Sequence, residues 1–148
     1  MNDYIQVITR MNQVLDEFNV LITKEVKELG DYNLTSQQEV ILIYISKHEK
    51  ITTSEISHAF DITKSAVSQV LTKLEQEKMI LKLVNPDNRR ESFIVLDERG
   101  KSFIAKLADI DQLMIDKYYS KIDLPKLIQM TETMEEINKL MKKSKLKT

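Results

Sequence analysis

No cysteine occurs among the 148 residues, which excludes disulfide staples, thiolate metal sites and thiol-based redox sensing. Histidine is nearly as scarce. His48 and His58 are too few for a histidine-rich metal site, and neither a metal nor a cofactor is expected. Only two glycines (Gly30, Gly100) and two prolines (Pro86, Pro125) interrupt the chain, which favours long helices. No run of about 18 apolar residues exists to span a membrane. The opening Met1-Asn2-Asp3-Tyr4 lacks the basic start and apolar core of a secretory signal. A cytoplasmic protein is therefore expected, with no membrane partner. An excess of charge is also missing, because 22 basic residues meet 23 acidic ones for a net charge of −1. What remains is an ordinary globular balance, 42% hydrophobic and 30% charged, of a size for one domain with helical extensions.

Residues 3–29 read as a long amphipathic helix, since Ile5, Ile8, Leu15, Phe18, Ile22, Val26 and Leu29 keep one stripe in register. Gly30 is placed to end it in the left-handed conformation. Thr35-Ser36-Gln37-Gln38 forms a capping box ahead of an almost wholly apolar run, Val40 to Ile45, which predicts a deeply buried second helix. A second box, Thr52-Thr53-Ser54-Glu55, opens a short helix carrying Ile56 and Phe60. After Asp61-Ile62, Thr63 can cap a further helix to about Met79. Two short helices joined by so few residues are the signature of a helix-turn-helix.

The period then changes from helix to strand. Leu81 to Val84 and Ser92 to Leu96 flank the turn-forming stretch Asn85 to Glu91, which predicts a hairpin placed as a wing. Asp97 can cap a helix with Phe103, Leu107, Ile110, Met114 and Tyr118 on one stripe. Asp123 caps a last helix, with Pro125 in its first turn and Leu127, Met134, Ile137 and Met141 on its stripe. From Lys142 to Thr148 a frayed tail is expected.

In the helix at 63–79, Val67, Val70, Leu71 and Leu74 form the buried face. Lys64, Ser65, Ser68, Gln69, Thr72 and Lys73 then point outward, and none is an acid. Hydroxyls and an amide suit the floor of a DNA major groove, where Gln69 could bond bidentately to an adenine edge. Taken alone, the same face is equally compatible with an ordinary solvated helix. Across 61–93, six bases (Lys64, Lys73, Lys78, Lys82, Arg89, Arg90) barely outnumber five acids (Asp61, Glu75, Glu77, Asp87, Glu91). Geometry must therefore bring the bases forward and turn the acids away. Arg89 and Arg90 stand at the hairpin tip, and the chain has only two other arginines, Arg10 and Arg99. Arginine on a narrow hairpin can enter a minor groove whose A·T tracts deepen the negative potential; the alternative is a solvated pair balanced by Asp87 and Glu91.

Three segments together resemble the MarR family of regulators: Leu34 to Gln38 with the apolar run after it, Glu55 to Gln69, and Asn88-Arg89-Arg90 through Leu96-Asp97-Glu98-Arg99-Gly100. The likeness extends over about residues 3–144. It departs from the family pattern where Asn88 stands in place of the usual wing aspartate, Asp61 replaces a turn glycine, and Gln69 stands where arginine is frequent. The resemblance implies a mainly α fold: a winged helix-turn-helix lobe at 31–97 with a small β-hairpin wing, and long N- and C-terminal dimerisation helices at 1–30 and 98–148. It implies a homodimer on a near-palindromic double-stranded DNA operator, acting as a repressor relieved by a small aromatic effector; from their periodicity alone, the apolar terminal helices could instead close into an intramolecular bundle. Tyr32, Tyr44 and His48 are the candidate ligand-pocket residues. The alternative is a ligand-sensing or protein-interaction adaptor that keeps the fold without specific DNA binding. No nucleophile with a base and an orienting group, and no phosphate-cradling glycine loop, suggests an enzyme.

Overall fold

The computed structural model describes residues 2–145, with the side chains of Glu28 and Lys145 left out. The first compact unit runs from Met1 to Ala108 and the second from Asp109 to Thr148. Elements follow in the order α1 (Asn2–Glu25), a 3-10 segment (Lys27–Tyr32), α2 (Ser36–Ser46), β1 (Ile51–Thr52), α3 (Thr53–Phe60), α4 (Lys64–Gln76), β2 (Ile80–Leu83), β3 (Phe93–Leu96), α5 (Glu98–Lys117), a short 3-10 turn (Tyr119–Lys121) and α6 (Leu124–Lys145). The fold is mainly helical with one small antiparallel sheet, as the sequence implies.

The core of the first unit lies between the helix-turn-helix and the sheet. Ile41, Leu42 and Ile45 of α2, Ile56 of α3, Val67, Leu71 and Leu74 of α4, and Ile80 and Ile94 of the sheet are all buried. Within the apolar run of α2, Val40 departs from expectation and is 49% exposed, because an eleven-residue helix packed on one side leaves the opposite face to solvent. Thr35 closes the expected capping box, accepting from the Gln38 amide (3.2 Å) while its own amide donates to Gln38 Oε1 (2.9 Å).

The sheet has three strands rather than two, in the order β1-β3-β2. The extra strand is Ile51–Thr52, which pairs antiparallel with Ile94 and Phe93. Two residues show no alternation, so the strand was invisible behind the helix cap it precedes. Thr52 is that cap, accepting from the Glu55 amide at 3.2 Å.

Left-handed residues close three helix ends: at Asp61 this is expected of a residue standing in for a turn glycine, whereas the ends near Gly30 and Met79 differ from expectation. Neither glycine adopts positive φ; the left-handed positions belong to Asn33 (φ 52), Asp61 (φ 52) and Lys78 (φ 58). Gly30 lies inside the 3-10 segment, where its carbonyl accepts from the Asn33 amide at 3.0 Å. Asp61 turns the chain between α3 and α4, with the Ile62 amide reaching back to the Ser57 carbonyl at 3.2 Å. Helix α4 ends at Gln76, short of Met79, because Lys78 turns left-handed and the Met79 amide returns to the Leu74 carbonyl at 2.8 Å.

In α5, Phe103 is fully buried and Asp97 Oδ1 accepts from the Glu98 amide at 2.7 Å. In the second unit, the Asp123 carbonyl takes the first bond of α6 from the Lys126 amide at 3.0 Å. Helix α6 continues through the start of the expected frayed tail to Lys145; residues 146–148 lie outside the described residues. No described helix is long and apolar enough to cross a membrane.

Candidate nucleic-acid interface

Thr63 starts α4 by accepting the Ala66 amide at 3.1 Å. The buried side of the helix is Val67, Val70, Leu71 and Leu74, the same four residues that the spacing selects. That packing leaves Lys64, Ser65, Ser68, Gln69, Thr72 and Lys73 exposed along the opposite face. Five of these, Ser65 to Lys73, line one open hollow together with Gln76. Gln76 was missed from sequence, although it stands four residues beyond Thr72 and so shares its face. The Thr72 hydroxyl donates to the Ser68 carbonyl at 2.8 Å, which uses its one proton and leaves the oxygen as an acceptor.

The acids near this face are turned aside by specific partners. Glu75 lies 3.8 Å from Lys82 Nζ on β2. Glu77 is held by Arg99, whose Nη1 lies 3.2 Å from its carboxylate and donates to its carbonyl at 3.1 Å. Arg99 also lies over the Tyr32 ring, 5.3 Å from its centroid. One arginine of α5 thus joins the end of α4 to the 3-10 segment, a role that sequence spacing did not reveal.

Between β2 and β3, two successive asparagine turns shape the wing. Asn85 Oδ1 accepts the Asp87 amide (3.0 Å), and Asn88 Oδ1 accepts the Arg90 amide (3.1 Å). The strands pair from Ile80↔Leu96 to Leu83↔Phe93, so Val84 and Ser92, expected as strand ends, belong to the loop. Arg89 and Arg90 are exposed, and among the described residues neither guanidinium has an ion-pair partner. Glu91 does not balance them. Its carboxylate accepts the Ser54 amide at 2.8 Å, at the start of α3. Hydrogen bonds from the Ser54 hydroxyl and amide hold the Glu91 carboxyl below its ordinary range; burial opposes them, and attraction from Lys64 is the weakest contribution.

Of the three candidate ligand residues, Tyr44 and His48 are brought into contact, while Tyr32 packs against a different partner. Tyr32 is buried edge-on against Phe103, with ring centroids 5.3 Å apart. Tyr44 packs instead against His48 at 4.5 Å and Phe60 at 5.2 Å, and His48 Nδ1 lies 2.8 Å from the Tyr44 carbonyl. A separate cleft of about 570 Å³ is lined by Ile22, Val26, Leu29, Leu34, Glu39 and Leu107, among others. Burial there raises the pKa of Glu39. Among the described residues, no group of three or more His, Asp or Glu side chains is placed to hold a metal ion.

The family model for the MarR family matches residues 34–92, which span the helix-turn-helix and the wing loop. The HTH-type transcriptional regulator TcaR of Staphylococcus aureus (strain Newman) is 31% identical over 120 residues, covering 76% of each chain. Among solved structures, Streptococcus pneumoniae FabT in complex with DNA superposes with a TM-score of 0.72 at 19% identity, over 91% of this chain and 97% of that one. The heme sensor protein PefR from Streptococcus agalactiae, solved with heme, reaches 0.66 at 14% identity, over 90% and 92%. At such low identity these two structures speak to the fold.

Proposed function

This chain belongs to the MarR family, and on that premise we propose that it is a dimeric, sequence-specific repressor that a small molecule releases from its operator. The coarser part, a DNA-binding transcriptional regulator, rests on the family. The finer part rests chiefly on one observation: the exposed face of α4 from Lys64 to Lys73 carries no acid, while Glu75 and Glu77 beyond it are held by Lys82 and Arg99. In this reading α4 enters the major groove, with Gln69, Ser65 and Ser68 meeting base edges, Thr72 accepting from a base amino group because its own proton is given to the Ser68 carbonyl, and Lys64 and Lys73 meeting phosphates. Arg89 and Arg90 reach the neighbouring minor groove from the wing.

Dimerisation is supported by apolar surface that the single chain leaves uncovered. Helix α1 has no buried residue, and Ile5, Ile8, Leu15 and Phe18 are between 40% and 61% exposed. On α6, Met134, Ile137 and Met141 are likewise exposed. Surfaces of this kind mark interfaces. Residues 1–30 and 98–148 then form the dimerisation region and 31–97 the DNA-binding lobe. Two-fold symmetry sets the recognition helices about one DNA turn apart, roughly 34 Å, on a near-palindromic site.

For release, the effector is a small aromatic molecule, a class consistent with the heme bound by one structural relative. The 570 Å³ cleft beside Leu34 and Glu39 supports this better than Tyr32, Tyr44 and His48, whose rings are packed against Phe103, Phe60 and one another, since the cleft is of a size that holds such ligands. A ligand that prefers one helix spacing shifts the dimer away from the operator-competent form.

The test is selection of the purified protein against fragmented DNA, followed by titration of the best fragment at two salt concentrations. A palindromic consensus bound with a steep salt slope is expected. No enrichment at low salt by folded, dimeric protein would overturn the regulator in favour of an adaptor without DNA binding.

A further inference from the structure

A carboxylate beside a DNA-binding surface repels phosphate, so an acid directly after the wing arginines calls for a compensating role. Glu91 follows Arg90, is half-buried, and spends its Oε1 on the Ser54 amide 2.8 Å away, across 37 residues of sequence. Ser54 lies in the first turn of α3, where amides have no partner within the helix and the helix dipole favours an anion. Lys64, the first residue of α4, adds a weak attraction to the same carboxylate, smaller than the effect of the Ser54 bonds. One side chain thus links the wing's C-terminal root to the start of α3. Backbone pairing of β3 with β1 holds the base of the hairpin beside the start of α3, at Phe93 and Ile94, but the side-chain hydrogen bonds of the loop beyond it are local: Asn85 to Asp87 and Asn88 to Arg90 shape the loop without fixing it to the helices.

We propose that Glu91 is a positioning residue, whose bond to Ser54 locks the wing onto the helix-turn-helix and sets where Arg89 and Arg90 stand relative to the N-terminal end of α4. Glu91 itself touches no DNA; it acts through the arginines. This inference rests on the DNA-binding reading given above. It separates the two carboxylates flanking the arginines: Asp87 is an exposed turn residue, whereas Glu91 is a tether.

The test uses the full chain and its selected operator fragment, with Glu91→Ala, Glu91→Gln, Arg90→Ala and the Glu91→Ala/Arg90→Ala pair. Glu91→Gln keeps an oxygen able to accept the Ser54 amide and should bind DNA with the wild-type salt slope. Glu91→Ala should weaken binding about tenfold, the order expected when one specific DNA interaction is removed. It should also reduce the slope by up to roughly 0.9 for each arginine that leaves the minor groove and no longer displaces a counterion there. With Arg90 already alanine, adding Glu91→Ala should change affinity less than about twofold, the coupling expected of residues that act as a unit. Hydrogen exchange at the Ser54 amide, measured without DNA, should accelerate in Glu91→Ala and much less in Glu91→Gln. If Ala and Gln both strengthen binding with an unchanged slope, Glu91 is only a repelling surface acid and the proposal fails. It also fails if Glu91→Ala weakens binding equally with and without Arg90, which would mark a general structural defect. Absence of DNA binding by the wild-type chain would instead overturn the regulator reading, and this assignment with it.

Discussion

Gly100, in the first turn of α5, lies so close to the backbone carbonyl of Met79 that a Cβ built on it would overlap the carbonyl oxygen, and would meet Leu96 Cδ2 at 3.3 Å. The same carbonyl accepts the Asp97 amide at 2.9 Å, so it cannot move aside without losing that bond. Gly100→Ala should therefore destabilise the protein by about 1–3 kcal/mol, the usual cost of overpacking. Gly30 is the internal control, since a Cβ there meets nothing within 4 Å and its φ is not positive. Gly30→Ala should be neutral or gain about 0.4–1 kcal/mol through the unfolded state. Denaturant melts of the two variants decide the matter; equal midpoints would mean that α5 can shift away from Met79.

Lys78 ends α4 at φ 58, in a conformation that costs an L-residue roughly 1–2 kcal/mol. Lys78→Gly should raise stability by about 0.5–1 kcal/mol, part of the relief being offset by the greater freedom of glycine in the unfolded chain. The readout is the chemical-denaturation midpoint. A loss of stability would show that the Lys78 side chain contributes more than its backbone costs.

On DNA, Arg90→Ala should weaken operator binding by about 1–3 kcal/mol. Gln69→Ala should relax base preference at one position in each half-site and leave the salt slope nearly unchanged. Titrations against the consensus and its single-base variants separate the two. Unchanged affinity for the first would remove the wing from operator recognition, and unchanged preference for the second would assign Gln69 to solvent.

Burial raises the carboxyl pKa of Glu39 in the folded state, so the group favours folding when protonated. Its contribution is most favourable below the unfolded pKa of about 4.3 and declines as pH rises through the higher folded value. Glu39→Gln should accordingly stabilise the protein at pH 7, with the advantage shrinking on acidification to pH 4. Thermal melts at both pH values test this. A variant less stable at pH 7 would show that a partner stabilises the ionised carboxylate by more than burial costs it.

Much of the architecture was already determined by local chemistry. The i, i+3, i+4, i+7 set of Val67, Val70, Leu71 and Leu74 dictates which side of α4 is buried, and so which side is free for DNA. Thr35, Thr52 and Thr63 set three helix starts through side-chain bonds to amides three residues ahead, a purely local interaction. Likewise Asn85 and Asn88 curl the wing through bonds to their own neighbours. What depended on tertiary structure was every relationship across long sequence separations. Examples are the two-residue strand Ile51–Thr52 against β3, the Arg99 clamp on Glu77, and the Glu91 tether to Ser54. No periodicity announces such pairs, because each is created only when packing brings distant backbone together. The same cause separated Tyr32 from Tyr44, since burying an aromatic ring against Phe103 or Phe60 is decided by which helices meet. Residue type and spacing establish what a side chain is able to do; the packed fold decides which partner it meets, and therefore whether Glu91 repels DNA or holds the wing in place.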